Sequence, residues 1–270
     1  MAALRILVTG ATGFLGAHAT AALRARGHVV RTVARRAADV AVDLCAPGMV
    51  AAVVQATSPD LVLHLAAMSR IADCERDPDA AWRANAWLPE QFAERFGARL
   101  LYVSTDLVFD GRAAPCAEDA PVAPLSVYGS TKAEGERAAC AHGGRVVRLP
   151  LLFGPDAHGR GATASLRLAL SVGRPVHLYT NEYRTPLHAG DAAALLADLL
   201  PDVEGPRLVH LPGPERCSRW EFGRRFCAVH GLGTELLVPT ECEDATRPRD
   251  VALTGGIVPR RSLDEMLAAS

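Results

Sequence analysis

The sequence predicts an α/β protein: a doubly wound parallel sheet with a smaller, C-terminal lobe. Three observations carry that prediction. A short apolar run, Leu4 to Thr9, leads straight into Gly10-Ala-Thr-Gly13-Phe-Leu-Gly16 and then into a helical pattern. Strand-like and helix-like segments go on alternating as far as Leu149, and such alternation gives parallel strands covered by helices on both faces. Two small residues, Ala66 and Ala67, close the third strand-like run; they leave room at the carboxyl edge, where ligands of such sheets bind.

In order along the chain, Leu4 to Thr9 is apolar and short, as a buried strand should be. Leu15, Ala19, Ala22 and Leu23 share one face of the helix that follows, and Gly27 closes it. His28 to Val33 reads as the second strand. Pro47 to Thr57 reads as a helix with proline in its first turn. Asp60 to Ala67 is the third strand, and its His64 is expected to be structural. Asp79 to Phe96 reads as a helix containing Asn85, Arg99 to Ser104 as a strand, Tyr128 to Cys140 as a helix and Arg145 to Leu149 as a buried strand. The interval from Asp110 to Pro124, with three prolines, is a loop that could border a site. Beyond Phe153 the pattern loosens. Ala164 to Val172, Ala189 to Leu200 and Ser218 to His230 look helical, Leu208 to Leu211 strand-like, and Glu241 to Gly256 irregular. The expected division is 1–154 for a nucleotide-binding domain and 155–270 for a substrate lobe interleaved with the last strands.

Composition narrows the class. A chain of 270 residues is long enough for such a domain with a lobe. A net charge of −1 gives no electrostatic case for nucleic acid or an anionic membrane as partner. No run of ~18 apolar residues occurs, so no membrane-spanning helix is expected. The seven cysteines are odd in number, widely spaced and without Cys-x-x-Cys. That argues against a disulfide framework or a zinc site and for a reducing, cytoplasmic setting.

A strand, glycine turn, helix and second strand within roughly thirty residues is the context a dinucleotide fingerprint needs. One glycine makes the tight turn, one lets backbone approach a pyrophosphate, and one lets helix pack on strand. The helix N-terminus offers N–H groups and a partial positive charge to the phosphates. Candidate cofactor contacts are therefore Gly10, Thr12, Gly13, Phe14, Leu15 and Gly16, with Leu65, Ala66 and Ala67 at the third strand's end. An NAD-preferring site would place an acid after the second strand, against the ribose 2′-hydroxyl. Here Arg35 and Arg36 follow Ala34. Two guanidinium groups suit a 2′-phosphate, so NADP(H) is expected ahead of NAD(H), although a solvated basic turn would read the same.

Lys132 is the chain's one lysine, four residues after Tyr128. On a helix these positions share a face. A fixed positive charge lowers the pKa of a phenol, ordinarily near ~10, and makes it a usable proton donor. An ammonium is a compact point charge that can also bond ribose hydroxyls, whereas a guanidinium is bulkier and forked. A solvated surface pair remains the bland alternative.

Gly10-x-x-Gly13-x-x-Gly16, Ser104-Thr105-Asp106 and Tyr128-x-x-x-Lys132, in that order, resemble the extended short-chain dehydrogenase/reductase superfamily, whose fold is of the Rossmann type. More narrowly, Ser-Thr-Asp-Leu-Val-Phe-Asp-Gly at 104–111 and Tyr-Gly-x-Thr-Lys with Glu134 and Glu136 resemble the dTDP-4-dehydrorhamnose reductase group. Tyr183-Arg-Thr-Pro186 with Asp191, and Arg247-Pro-Arg, echo that group's substrate-lobe motifs. The resemblance implies that Thr105 bonds the substrate carbonyl, Tyr128 donates the proton, and Lys132 tunes the tyrosine and holds the nicotinamide ribose. It further implies that Asp43 and Leu44 lie beside the adenine. The substrate implied is a keto nucleotide sugar, with Asp106, Arg184 and Arg249 as candidate contacts. Related 4,6-dehydratases carry Asp-Glu after the threonine; Leu107 stands at the glutamate position and cannot move a proton. Residues 180–186 read Thr-Asn-Glu-Tyr-Arg-Thr-Pro where the group has Asp-Gln-x-Gly-x-Pro-Thr, which leaves the sugar open. An epimerase, a non-catalytic NADP-binding regulatory subunit, and a homodimer stay open as well.

Overall fold

In the computed structural model, which describes residues 3–156 and 158–270, β1 is Arg5–Thr9 and α1 is Phe14–Ala25. β2 (Val29–Ala34), β3 (Val40–Ala41), α2 (Met49–Thr57) and β4 (Leu61–His64) follow. Next come α3 (Ile71–Arg76), α4 (Pro78–Trp82), a π-helical turn (Arg83–Trp87), α5 (Leu88–Phe96), β5 (Leu100–Thr105), α6 (Val127–Ala141) and β6 (Arg145–Leu149). The rest of the chain forms β7 (Leu152–Phe153), α7 (Ala162–Ser171), β8 (Val176–Tyr179), β9 (Tyr183–Arg184), β10 (Leu187–His188), α8 (Ala189–Leu199), β11 (Leu208–His210), β12 (Cys217–Ser218), α9 (Arg219–Val229), β13 (Leu237–Thr240) and α10 (Leu263–Ala268). No helix among the described residues is long and apolar enough to cross a membrane.

Seven strands form one sheet in the order β11-β6-β5-β4-β1-β2-β3, and the ladders from β3 through β2, β1 and β4 to β5 are parallel. The chain builds outward from β1 to β3, then crosses back to start the other half at β4. The switch point of this Rossmann-type, doubly wound sheet thus lies between β1 and β4. Ile6, Leu7 and Val8 on β1 and Val62 and Leu63 on β4 have no exposed surface. Strands covered on both faces read as unbroken apolar runs, which is why they stand out in the sequence. Leu7, Val33, Val62, Phe92, Tyr102 and Val146 pack into one core cluster.

By compactness the chain divides into two units. One comprises Met1–Thr105, Ser126–Arg148 and Ala192–Val209; the other Asp106–Leu125, Leu149–Asp191 and His210–Ser270. In the second unit, short ladders pair β7 with β10, β9 with β12 and β8 with β13. Its α9 and α10 each begin in a capping box, Ser218 with Glu221 and Ser262 with Glu265.

Two elements differ from the sequence expectation for local reasons. The helix expected over 79–96 runs unbroken from Pro78 to Phe96 but passes through a π-helical turn at Arg83–Trp87. Pro89 has no N–H to offer Asn85 O, four residues back, and that carbonyl accepts from the Tyr102 hydroxyl instead, at 2.8 Å. The third strand stops at His64 rather than Ala67, because the N–H groups of Leu65 and Ala66 turn to the Thr9 hydroxyl, each at 3.2 Å.

Candidate functional site

The first unit carries the glycine turn at the carboxyl end of β1. Gly10 has φ 65°, and a Cβ there would lie 2.6 Å from Ala66 N; only glycine lets the two turns approach so closely. Gly13 is the N-cap of α1, no side chain caps it, and no acid stands in the first turn. An uncapped helix N-terminus lacks acceptors for its first N–H groups, and a pyrophosphate would supply them, so a dinucleotide fits the residues here. Thr12 is exposed, Phe14 and Leu15 half-buried, Gly16 buried. Leu65 and Ala66 are half-buried and Ala67 exposed on the turn after β4.

Arg35 and Arg36 are exposed on the bend after β2. The bend continues into Ala37 and Ala38, which with Thr12, Thr20, Arg24 and Asp39 help line a cavity of ≈ 520 Å³ beside α1. Asp39 is a feature the sequence reading missed. Its carboxylate accepts from Thr32 N and from Thr32 Oγ1, both at 2.9 Å. The Thr32 backbone bond, foremost, holds it below the usual carboxylate range. This acid stands a few residues beyond the end of β2 and bonds back onto the strand. Asp43 is exposed and its Oδ1 accepts from Cys45 N at 3.0 Å; Leu44 is buried in the core cluster.

Thr105 closes β5 and is buried; Tyr128 and Lys132 lie on α6, which starts at the Ser126 cap (Gly129 N to Ser126 Oγ, 3.1 Å). Lys132 is only 2% exposed. Its Nζ donates to Val103 O at 2.7 Å and sits 4.0 Å over the Tyr102 ring. Burial, the larger cause, pushes its pKa down to about 7 while Glu136 opposes the fall. Asn85, which the sequence places on its helix without a role, fixes α6. Its side chain bonds Met68 N and O at 2.9 and 3.0 Å and Thr131 Oγ1 at 3.0 Å. Gly135 lets α6 come against the π turn, since a Cβ there would overlap Asn85 O. Glu136 and Arg148 form a buried ion pair at 2.7 Å, tying α6 to β6. A π turn is often a mark of a functional segment, and only Pro89 hints at it in the sequence.

In the second unit, Asp106 has no exposed surface and Arg184 is 7% exposed. The Arg184 guanidinium grips the Asp106 carboxylate with Nε and Nη2. Arg249 Nη1 donates to the backbone carbonyls of Asp244 and Arg247 at 3.2 and 3.0 Å. Arg247 in turn reaches Glu182 at 3.3 Å. The structure thus joins Asp106 to Arg184 and sets Arg249 on the nearby Asp244–Arg247 backbone.

Known proteins bear on these features. Residues 4–256 match the model of the RmlD substrate binding domain. Methionine adenosyltransferase 2 subunit beta of Pongo abelii is 30% identical over 268 residues, spanning 92% of this chain and 80% of that protein. A probable low-salt glycan biosynthesis reductase of Haloferax volcanii is 29% identical over 261 residues, spanning 89% and 85%. The solved dTDP-4-dehydrorhamnose reductase of Bacillus anthracis, in complex with NADP, superposes with a TM-score of 0.88 over 98% of each chain at 22% identity, a likeness of fold. The fold is like that of the extended short-chain dehydrogenases/reductases, and the match over nearly the whole chain makes this protein a member of the RmlD substrate binding domain family.

Proposed function

We propose that this protein binds NADP(H), and less tightly NAD(H), and reduces a keto group of a nucleotide-diphosphate sugar with Tyr128 as proton donor. The observation that carries the reading is the single lysine, buried against Val103 O near the end of β5, with Tyr128 one turn before it and Thr105 closing the strand. A solvated surface pair would not bury its ammonium. When bound, the dinucleotide supplies the hydride. Thr105 holds the substrate carbonyl by its hydroxyl. Tyr128 gives its proton to the developing alkoxide, and Lys132, in its protonated form, makes the phenol a stronger acid. Leu107 offers no proton for a dehydration. On the substrate side, Arg184 holds Asp106 in place, and Arg249 contributes charge toward a diphosphate.

A second reading has its own support. Curated relatives at 28–32% identity are named as the beta subunit of methionine adenosyltransferase 2. On likeness to named proteins, a dinucleotide-holding regulatory subunit stands ahead of a free-standing reductase; the buried ammonium beside Tyr128 favours the reductase. Two measurements separate them: NADPH binding at equilibrium, and NADPH consumption with 4-keto nucleotide sugars of different bases. Turnover that Tyr128→Phe abolishes supports the reductase. Tight binding with no turnover on any of these sugars supports the subunit.

A further inference from the structure

We propose that Thr9 and His64 are positioning residues for the dinucleotide: their shared hydrogen bond fixes the turn Leu65–Ala67 against Gly10, at the switch point of the sheet. The inference rests on the reading of the first unit as a dinucleotide site. Thr9 and His64 are cross-strand partners at the carboxyl ends of β1 and β4, the two strands that flank the switch point. Neither has any exposed surface.

Thr9 Oγ1 has three neighbours. His64 Nδ1 lies at 2.9 Å, and the backbone nitrogens of Leu65 and Ala66 lie at 3.2 Å each. A hydroxyl has one proton and two lone pairs. The two backbone N–H groups can only donate, so they take both lone pairs. The hydroxyl proton is then left for His64 Nδ1, which must accept. His64 is therefore neutral, with its own proton on Nε2. Burial, and secondarily the charge of Lys132, push its pKa down to about 3, so the arrangement holds at ordinary pH.

His64 Nε2 is buried and has no hydrogen-bond partner, while the ring lies 5.2 Å from Phe92 and 5.8 Å from Tyr102. A leucine would fill such a place without leaving a buried nitrogen bare. What the imidazole adds is Nδ1, the acceptor that orients the Thr9 hydroxyl. The oriented hydroxyl lifts Leu65 and Ala66 out of the strand ladder and brings Ala66 N to the spot that excludes a Cβ from Gly10. The gap between the two turns, over which a dinucleotide lies at a switch point, is set by this pair.

The test uses the full chain. Thr9→Val keeps the branched shape and removes the hydroxyl, Thr9→Ser restores it, His64→Leu removes the acceptor, and His64→Asn supplies an amide oxygen in place of Nδ1. NADPH affinity, amide exchange at Leu65 and Ala66, and urea stability are measured for each. Expected are a roughly tenfold weaker NADPH affinity in Thr9→Val, the scale of one or two net hydrogen bonds, and faster exchange at those two amides. Thr9→Ser should stay near wild type, and His64→Asn should bind better than His64→Leu. Thr9→Val that loses stability yet binds NADPH as wild type does would reduce the pair to a structural role and overturn the proposal, as would unchanged exchange at both amides. Should Thr9→Val fail to fold, the contrast between His64→Asn and His64→Leu decides. A wild-type protein that binds neither NADPH nor NADH sinks the parent reading and the positioning role with it, while amide exchange still reports on the hydrogen bond itself.

Discussion

Replacing Lys132 by methionine should stabilise the ligand-free protein in mild acid and abolish turnover. The wild-type ammonium is buried, and burial takes its pKa from an ordinary 10.5 to about 7. That fall corresponds to about 5 kcal/mol against the charged form. The bond to Val103 O and the Tyr102 ring both favour the ammonium, so a net ~2–5 kcal/mol is expected once they are set against it. Below pH 7 the folded and unfolded chains both hold the proton and the whole penalty applies. Between pH 7 and 10.5 the folded protein has released it while the unfolded chain has not, so wild-type stability climbs with pH. Methionine, long and uncharged, escapes the penalty at every pH. Urea unfolding at about pH 6 and about pH 9.5, extrapolated linearly to water, should show the variant ahead at the lower pH and its lead shrinking at the higher. Parallel curves, or a variant no more stable at about pH 6, would refute the burial argument. Lys132→Arg should be the worst of the series, since a guanidinium cannot shed its proton to escape burial.

Further outcomes follow from the same residues. Tyr128→Phe should lower turnover ~100- to 10,000-fold, the usual worth of a general acid, with NADPH affinity nearly unchanged by equilibrium titration. Thr105→Ala should reduce kcat less, because a water can take over one hydrogen bond; a loss as large as that of Tyr128→Phe would contradict the roles given to the two. The double change Arg35→Ala, Arg36→Ala should lower the ratio of kcat/KM for NADPH over NADH, and an unchanged ratio would remove both arginines from cofactor choice. Asp106→Ala should destabilise by about 3–5 kcal/mol in urea, because it strands the buried Arg184 charge, and joint removal with Arg184→Met should recover much of that loss.

What the sequence made legible was local. The passage from β1 through the glycine turn into α1 is one continuous stretch, and strands covered on both faces announce themselves by unbroken apolar runs. Lys132 was legible for a compositional reason: in a chain that uses arginine for its other 28 basic residues, a single lysine stands out. The features that escaped have distant partners. Asn85 meets Met68, Tyr102 and Thr131, drawn from three separate segments, so nothing in its own neighbourhood marks it. Asp106 and Arg184 are 78 residues apart. Thr9 and His64, 55 apart, read as an ordinary strand residue and a structural histidine until register sets them opposite each other. Arginine abundance hid the rest. Arg148 and Arg184 are buried against carboxylates, and Arg145 is buried with its guanidinium on the carbonyls of Leu199 and Leu200 at the end of α8. In sequence these look no different from the exposed Arg35 and Arg36. Because a guanidinium is never neutral, each buried one must be matched by an acceptor fixed elsewhere in the fold. Which arginines remain to meet a phosphate is therefore decided by tertiary pairing, which leaves the exposed Arg35 and Arg36 available and commits Arg148 and Arg184 to carboxylates.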